Sequence, residues 1–188
     1  MVKRPSRMFS GKGDGGYTAL WGGGRVPKYA PQLEAVGSLD EAAAVIGLAR
    51  ASGCHAHTAA RLKEVQQDLI QVRGDLARRQ DPDRPASPLL GGERVRWLEG
   101  EIQKLEAQAP PLTGFVLPGD SLPGAFLHQA RCVVRRAERV VARMVHEGWA
   151  GNPDALPYLN RLSSYLFVLA LWEDARAVGR LLRQPIEA

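Results

Sequence analysis

The stretch LHQARCVVRRAERVV, Leu127 to Val141, predicts the fold of this 188-residue chain. Its apolar residues recur at spacings of three and four, which marks one face of an α-helix: Leu127, Ala130, Val134, Ala137, Val141, then Met144 or Val145. The pattern predicts a helix that starts after Pro123-Gly124, runs to about Glu147 and ends at a Gly148 cap.

Four more segments show a helical period or a helix-start signal. Ser38-Leu39-Asp40-Glu41 has the form of a capping box and predicts a helix from Ser38 to about Arg50. Two further helices are indicated by apolar lines at Leu62, Val65, Leu69, Val72 and Leu76, and at Val95, Leu98, Ile102 and Leu105 before Pro110-Pro111. Asn152-Pro153 predicts an N-cap and a first-turn proline for a last helix that runs to about Arg183.

These segments are joined by mostly short connections, of which the Pro-rich stretch Asp81–Pro88 is one. Narrow apolar seams on consecutive helices favour an all-α, antiparallel bundle of four or five helices. Residues 1–37 are rich in Gly, Pro and charge, so we expect an N-terminal loop segment (1–37) before the bundle (38–188), within a single domain.

Composition limits the classes of function. The net charge is +5, which favours a polyanionic partner such as a nucleic acid or a nucleoside triphosphate. Aromatic residues make up only 6% and no basic run is interleaved with them, so nucleic-acid binding is the weaker interpretation. Two cysteines, Cys54 and Cys132, imply no disulfide framework. No apolar run is long enough for a membrane span or a signal core, so a cytoplasmic protein is expected.

The glycine-rich stretch SGKGDGGYTALWGGGR, Ser10 to Arg25, contains a G-x-G-x-x-G string and a Gly-Lys pair. No strand pattern precedes the string and no helix pattern follows it, so it is not a dinucleotide fingerprint. Lys12 is followed by Gly13, so the pair is not a Walker A loop. Two interpretations remain: a mobile tail, or a loop whose backbone N–H groups bind an anion beside Lys12, Arg25 and Lys28.

Polar residues form a line on the fourth helix: His128, Arg131, Arg135 and Glu138. Arg131 and Arg135 repel each other unless an anion or a carboxylate lies between them, so the line is either a salt-bridge ladder with Glu138 or a binding site. In YLNRLSSYLFVLA, Tyr158 to Ala170, a similar face holds Asn160, Ser163 or Ser164, and Phe167. Asn160 could bind a base or phosphate, or could bridge two helices.

Cys54, His55 and His57 are metal ligands by type, but no fourth ligand follows them at a useful spacing. A turn between two helices is the better interpretation of this cluster.

Five blocks together resemble one family, the PduO-type ATP:cob(I)alamin adenosyltransferases, in order along the chain. The blocks are Gly13-Asp14-x-Gly16 with Thr18 and LWGGGRVPK (20–28), EAVGSLDE (34–41), FVLPG (115–119), ARCVVRRAER (130–139) and YLNRLSSYLFVLA (158–170). The resemblance implies a five-helix bundle that forms a homotrimer, with active sites between neighbouring subunits.

The resemblance also implies roles for individual residues. The glycine stretch would be an N-terminal phosphate loop that orders over ATP. ATP would be bound by Lys12, Gly13, Asp14, Gly16, Thr18, Lys28, Arg135, Glu138 and Asn160. Glu138 would lie near the ATP-bound Mg²⁺, Arg131 would pair across the interface with Asp40, and Asp40, Arg131 and Arg135 would form the catalytic set. Phe115 would close the lower face of the corrinoid, with Ser164 nearby.

The chain departs from the family pattern at three places. Gly11 and Lys12 stand where a basic residue and a threonine are usual, Tyr29-Ala30 lies where an acidic pair is frequent, and Ser164 replaces a common aspartate. The implied reaction moves the 5′-deoxyadenosyl group of ATP to cob(I)alamin and releases tripolyphosphate. It needs no side-chain nucleophile, and the sequence offers no catalytic triad.

The alternatives are a catalytically weakened relative that binds ATP or corrinoid, and a basic nucleic-acid binder. An adenosylcobalamin-dependent enzyme is a possible partner.

Overall fold

A computed structural model describes residues 9–80, 83, 87–108, 114–149 and 151–179. Predictions that involve most of Asp81–Pro88, Pro110-Pro111 and Arg183 fall outside these ranges. The described residues form five helices and one hairpin: β1 (Tyr17–Ala19), β2 (Arg25–Pro27), α1 (Pro31–Ala51), α2 (Ala56–Leu76), α3 (Gly92–Glu106), α4 (Leu122–His146) and α5 (Ala155–Ala177). The five predicted helices are confirmed, and the fold is mostly helical.

The predicted seam of α4 is the centre of the core. Leu127, Ala130, Val134, Ala137 and Val141 are completely buried, and α4 packs against α1 on one side and α5 on the other. The line continues to Met144, which is buried, and not to Val145, which is exposed. The apolar line of α2 is completely buried as well. None of the described helices is long and apolar enough to cross a membrane.

Helices α4 and α5 run antiparallel in a register that two contacts define. The Ser121 hydroxyl donates to Asp174 Oδ1 at 2.6 Å, and the rings of His128 and Phe167 lie 5.8 Å apart. From Ser121 to His128 the chain advances seven residues, and from Asp174 to Phe167 it goes back seven residues. This register places Arg131 level with Ser164.

Helix α1 begins at Pro31, so the predicted start at Ser38 is wrong. Ala30 is extended and Pro31 occupies the first turn, where its missing N–H costs no hydrogen bond. Ser38 lies two turns inside the helix and is buried beside Leu39. Residues 31–37 are therefore helical, and the capping-box pattern at Ser38 is incidental.

Helix α5 begins at Ala155, so Asn152 is not its N-cap. The Asn152 side chain accepts from Asp154 N at 2.9 Å and donates to Asp75 Oδ2 and Leu90 O at 2.7 and 2.8 Å. A buried amide is stable only when its polar atoms are paired, and here it joins the start of α5 to the end of α2. The helix ends at Ala177.

The N-terminal segment contains a β-hairpin that the sequence did not predict. Thr18 pairs with Val26 at its centre, and three glycines with positive φ (Gly22, Gly23 and Gly24) form the connecting turn. Such φ values favour glycine because other residues meet steric strain there. The glycine-rich stretch from Ser10 to Arg25 is thus folded, which contradicts its interpretation as a mobile tail.

Candidate active site

The polar line of α4 lies along the edge of the buried seam. Arg131 is half-buried and its guanidinium carbon is 5.7 Å from the centre of the Phe167 ring, while Arg135 is exposed. Among the described residues, neither arginine forms an ion pair with Glu138, so the salt-bridge ladder is not formed. The Arg131 Nε is buried and has no hydrogen-bond partner among these residues. Two adjacent cations without a carboxylate between them are suited to bind an anion.

The opposing face of α5 carries the polar residues that the sequence indicated. By the α4–α5 register, Asn160 lies level with Arg135, and both are exposed. Ser163 is buried and its hydroxyl donates to Asn160 O at 2.9 Å, so Ser164 is the serine on the open side. Within the described chain the Asn160 side chain bridges no helices. Arg131, Arg135, Asn160 and Ser164 therefore border one exposed strip between α4 and α5.

His128 is buried beneath this strip, with only 4% of its surface exposed. Its ring meets the Phe167 ring edge to face, and neither ring nitrogen has a partner among the described residues. Burial lowers the pKa of His128 below its ordinary value, and the charge of Arg131 lowers it further. The imidazole is therefore neutral at pH 7, and both the His128 ring and the Arg131 guanidinium lie close to the Phe167 ring, at 5.8 and 5.7 Å from its centre.

Asp40 lies on the exposed side of α1 and pairs with Arg73 of α2. Within one chain it forms no pair with Arg131, so the structure does not bring these two predicted residues together. Its neighbour Glu41 pairs with Arg136 of α4. No local sequence pattern identified these pairs, because each joins residues of two different helices.

The glycine stretch folds into consecutive tight turns. Asp14 N donates to Gly11 O, and Gly16 N donates to Gly13 O, both at 3.1 Å. Lys28 N donates to Gly16 O at 2.8 Å, and a Cβ placed on Gly13 would lie 3.1 Å from Lys28 Nζ. The absence of a side chain at Gly13 therefore allows the lysine ammonium to approach the turn.

Arg25 has a different role from Lys28. Its guanidinium donates to Lys12 O at 2.5 Å and to Tyr17 O at 3.3 Å. These bonds hold the glycine turn against the hairpin. Arg25 therefore stabilises the loop in this structure, whereas Lys12 and Lys28 have no ion-pair partner among the described residues.

Phe115 lies in the segment before α4 and is fully exposed, as is most of Leu117. It therefore does not cap the bundle core, which was the alternative to a role in binding. The segment is followed by a fixed helix start, since the Ser121 hydroxyl accepts from Gly124 N at 3.0 Å and donates to Asp174. A large exposed aromatic side chain beside an ordered helix start is available to contact a ligand or a second subunit.

The cluster of Cys54, His55 and His57 is a turn between α1 and α2, as predicted. His55 Nδ1 accepts from His57 N at 3.3 Å and caps α2, and His55 N donates to Glu173 Oε1 at 3.1 Å. The turn borders a cavity of about 430 Å³, with the start of α4 and the end of α5 on its other sides. In the part of the chain that the structure describes, no group of three His, Cys, Asp or Glu could hold a metal ion.

Residues 8–173 match the family model described as cobalamin adenosyltransferase. The chain belongs to this family. All five sequence blocks lie within the matched residues, so the resemblance stated from those blocks is confirmed. The matched residues include all of α4 and most of α5, the two helices that border the exposed strip.

Curated relatives and solved structures agree with the family. A corrinoid adenosyltransferase of Citrobacter freundii is 36% identical over 168 residues, covering 89% of this chain and 95% of that protein. One of Mycobacterium tuberculosis is 40% identical, covering 98% and 96%. Corrinoid adenosyltransferase PduO of Salmonella typhimurium is 34% identical, but this chain spans only 50% of its length.

Among solved structures, a phenylalanine-to-histidine variant of the PduO-type ATP:corrinoid adenosyltransferase of Lactobacillus reuteri, complexed with cobalamin and ATP, superposes with a TM-score of 0.83. It is 29% identical, and the match covers 93% of this chain and 94% of that one. An arginine-to-lysine variant of the enzyme, complexed with ATP, gives a TM-score of 0.80.

Proposed function

We propose that this chain transfers the 5′-deoxyadenosyl group of ATP to cob(I)alamin, forming adenosylcobalamin and tripolyphosphate. The observation that carries the proposal is the family match over residues 8–173, which includes the glycine loop and the α4–α5 strip in one alignment. The neighbour with a TM-score of 0.83 was solved with both cobalamin and ATP, which supports the same pair of substrates.

The triphosphate of ATP is bound by the glycine loop and by the basic residues around it. The loop combines short backbone turns with positive charge. The turns are Gly11–Asp14 and Gly13–Gly16, and the charge is the nearby Lys28 ammonium. Lys12, Gly13, Asp14, Gly16, Thr18 and Lys28 form this part of the site. Arg135 and Asn160 bind ATP from the α4–α5 strip.

Glu138 is the residue that would hold Mg²⁺ on the bound triphosphate. It lies one turn beyond Arg135 on α4 and is half-buried, and no ion pair to it occurs among the described residues. Proteins bind Mg²⁺ through one or two carboxylates together with substrate phosphates, so the residue fits the ion. The ion would neutralise charge on the triphosphate.

The chemistry requires alignment and charge stabilisation from the protein. The Co(I) electron pair forms the new Co–C bond at the ribose C5′ while the C5′–O bond to the triphosphate breaks, and the electrons leave with tripolyphosphate. The protein holds the leaving group by backbone donors, Lys12, Lys28 and Arg135, which stabilises the developing charge. Phe115 covers the lower face of the corrinoid, and Ser164 lies at the corrinoid side of the strip.

The active form is a homotrimer in which Asp40 of one subunit meets Arg131 of the next. Two observations support this proposal: Arg131 has no anionic partner within the described chain, and Asp40 lies on an exposed surface beside Arg73. Pairing Arg131 with a partner's carboxylate would place it at the edge of the ATP site. Asp40 and Arg131 thus join Arg135 as the catalytic set.

The proposal is tested by incubating the purified chain with ATP, Mg²⁺ and chemically reduced cobalamin, and by following the spectrum of adenosylcobalamin. Turnover supports the enzyme. Binding of ATP or corrinoid without turnover would support the second candidate, a weakened relative, which Gly11, Ala30 and Ser164 favour. An adenosylcobalamin-dependent enzyme would consume the product.

A further inference from the structure

Asp40 uses only one of its two carboxylate oxygens within the described chain. Arg73 Nη1 donates to Asp40 Oδ1, which joins α2 to α1. Asp40 Oδ2 has no partner among the described residues, and 71% of the Asp40 side chain is exposed. An ionised carboxylate has acceptor sites on both of its oxygens. The free oxygen is therefore available to a donor from another molecule.

The Arg73 side chain is held more firmly than the carboxylate that it contacts, since only 24% of it is exposed. Hydrogen bonds on both sides of the pair fix α2 against α1. Gln66 Nε2 donates to Ala43 O at 2.8 Å on one side. Gln32 Nε2 donates to Leu76 O at 3.3 Å on the other. A mostly covered guanidinium on a fixed helix thus restricts the orientation of the carboxylate bound to it.

Arg131 lacks an anion, whereas Asp40 has a free oxygen. Among the described residues, the hydrogen bond that its guanidinium donates goes to Cys132 Sγ at 3.7 Å, and sulfur is a weak acceptor. Its Nε is buried without a partner in the same part of the chain. If Asp40 of one subunit meets Arg131 of the next, the carboxylate lies between two arginines, one from each subunit.

We propose that Arg73 is a positioning residue of the subunit interface, which holds Asp40 so that Oδ2 faces Arg131 of the neighbouring subunit. This inference rests on the trimer and the reaction proposed above. A carboxylate already held in one orientation loses less side-chain entropy when the second guanidinium binds. Without the carboxylate, the two guanidinium groups would repel each other. We call Arg73, Asp40 and the neighbouring Arg131 the interface triad.

The test compares the effect of Arg73→Ala on assembly in two backgrounds. In the wild-type chain this change removes the group that orients Asp40, so assembly should weaken. An exposed ion pair changes an equilibrium by up to about fivefold and a closed trimer has three equivalent interfaces, so the concentration at half assembly should rise by up to about tenfold. In Asp40→Asn the same change removes one of two facing cations, so assembly should become tighter.

Sedimentation of fluorescently labelled protein, from nanomolar to micromolar concentration, measures assembly in each variant. Mild urea brings the wild-type midpoint into this range if the trimer is too stable in buffer. Because Arg131 lies at the edge of the proposed ATP site, adenosylation per subunit should fall on dilution at the concentration where each variant dissociates. For Arg73→Ala, that concentration should be higher than for the wild type.

Two variants serve as controls. Arg161→Ala also breaks an exposed ion pair between two helices, with Glu99 of α3, and should leave assembly unchanged in both backgrounds. Arg73→Lys keeps a cation beside the carboxylate but lacks the planar fork of arginine. Its half-assembly concentration should lie between those of the wild type and Arg73→Ala.

The outcomes separate this inference from the proposals on which it rests. An ordinary ion pair within one chain gives no reversal of sign, so any result other than weaker assembly in the wild type and tighter assembly in Asp40→Asn would overturn the interface triad. A wild-type chain that stays monomeric at all concentrations would overturn the trimer as well. A wild-type trimer that forms no adenosylcobalamin would overturn the proposed reaction, while sedimentation would still decide the role of Arg73.

Discussion

Replacing Phe115 with Ala tests the proposed corrinoid site with little effect on folding. Replacing a buried core phenylalanine with alanine lowers the free energy of unfolding by about 3–5 kcal/mol. Phe115 is fully exposed, so we expect the free energy of unfolding to change by less than about 0.5 kcal/mol, as for other surface substitutions. In a domain of this size that corresponds to a change in Tm of less than about 2 °C.

The effect on catalysis should depend on how cob(I)alamin is supplied. A lower axial ligand raises the energy of the orbital that accepts the electron in cob(II)alamin, so mild reductants fail while the ligand is bound. A phenylalanine has no lone pair and excludes the ligand by occupying its space. With a mild reductant, we expect adenosylation by Phe115→Ala to fall at least about tenfold, an increase of about 1.4 kcal/mol in the barrier.

The assay compares two sources of substrate at saturating ATP. With preformed cob(I)alamin, Phe115→Ala should recover most of the wild-type rate, and its KM for ATP should be unchanged. Leu117→Ala is the matched control, because it also removes an exposed apolar side chain from the same segment and should leave both rates unchanged. An equal loss with both sources, together with a Tm lowered by many degrees, would refute the reasoning, since a core phenylalanine behaves in that way.

Three further predictions follow from the site and its surroundings. Arg131→Ala should weaken assembly, measured by sedimentation, and ATP use, measured by kinetics. Arg143→Ala breaks only an exposed pair with Glu147 and should change neither quantity, and a fully active Arg131→Ala monomer would contradict the trimer. Because the pKa of His128 is lowered on folding, the unfolded chain binds more protons than the folded chain below about pH 6.5. Chemical denaturation should therefore show the free energy of unfolding falling there by up to about 1.4 kcal/mol per pH unit, and His128→Leu should reduce this slope. ATP with Mg²⁺ should protect the bonds after Lys12 and Arg25 from trypsin, and unchanged cleavage at saturating ATP would argue against phosphate binding by the loop.

Local periodicity determined which parts of the chain are helical. The seam from Leu127 to Val141 and the apolar line of α2 were readable because residues three and four apart in sequence share one side of a helix. The same spacing placed Arg131 and Arg135 on one face of α4. The family was also readable from sequence, since its five blocks need only order and residue type.

Contacts between distant residues were decided by the tertiary structure. The start of α1 at Pro31 and the side-chain bonds of Asn152 depend on which groups are buried together, so the cap patterns at Ser38 and Asn152 were misleading. The exposure of Phe115 and the pairing of Asp40 with Arg73 could not be inferred from their neighbours in sequence. Hydrogen bonds and burial are set by the three-dimensional neighbours of a residue, whereas helical periodicity is set by the chain itself, and this difference separates what was predicted from what was not.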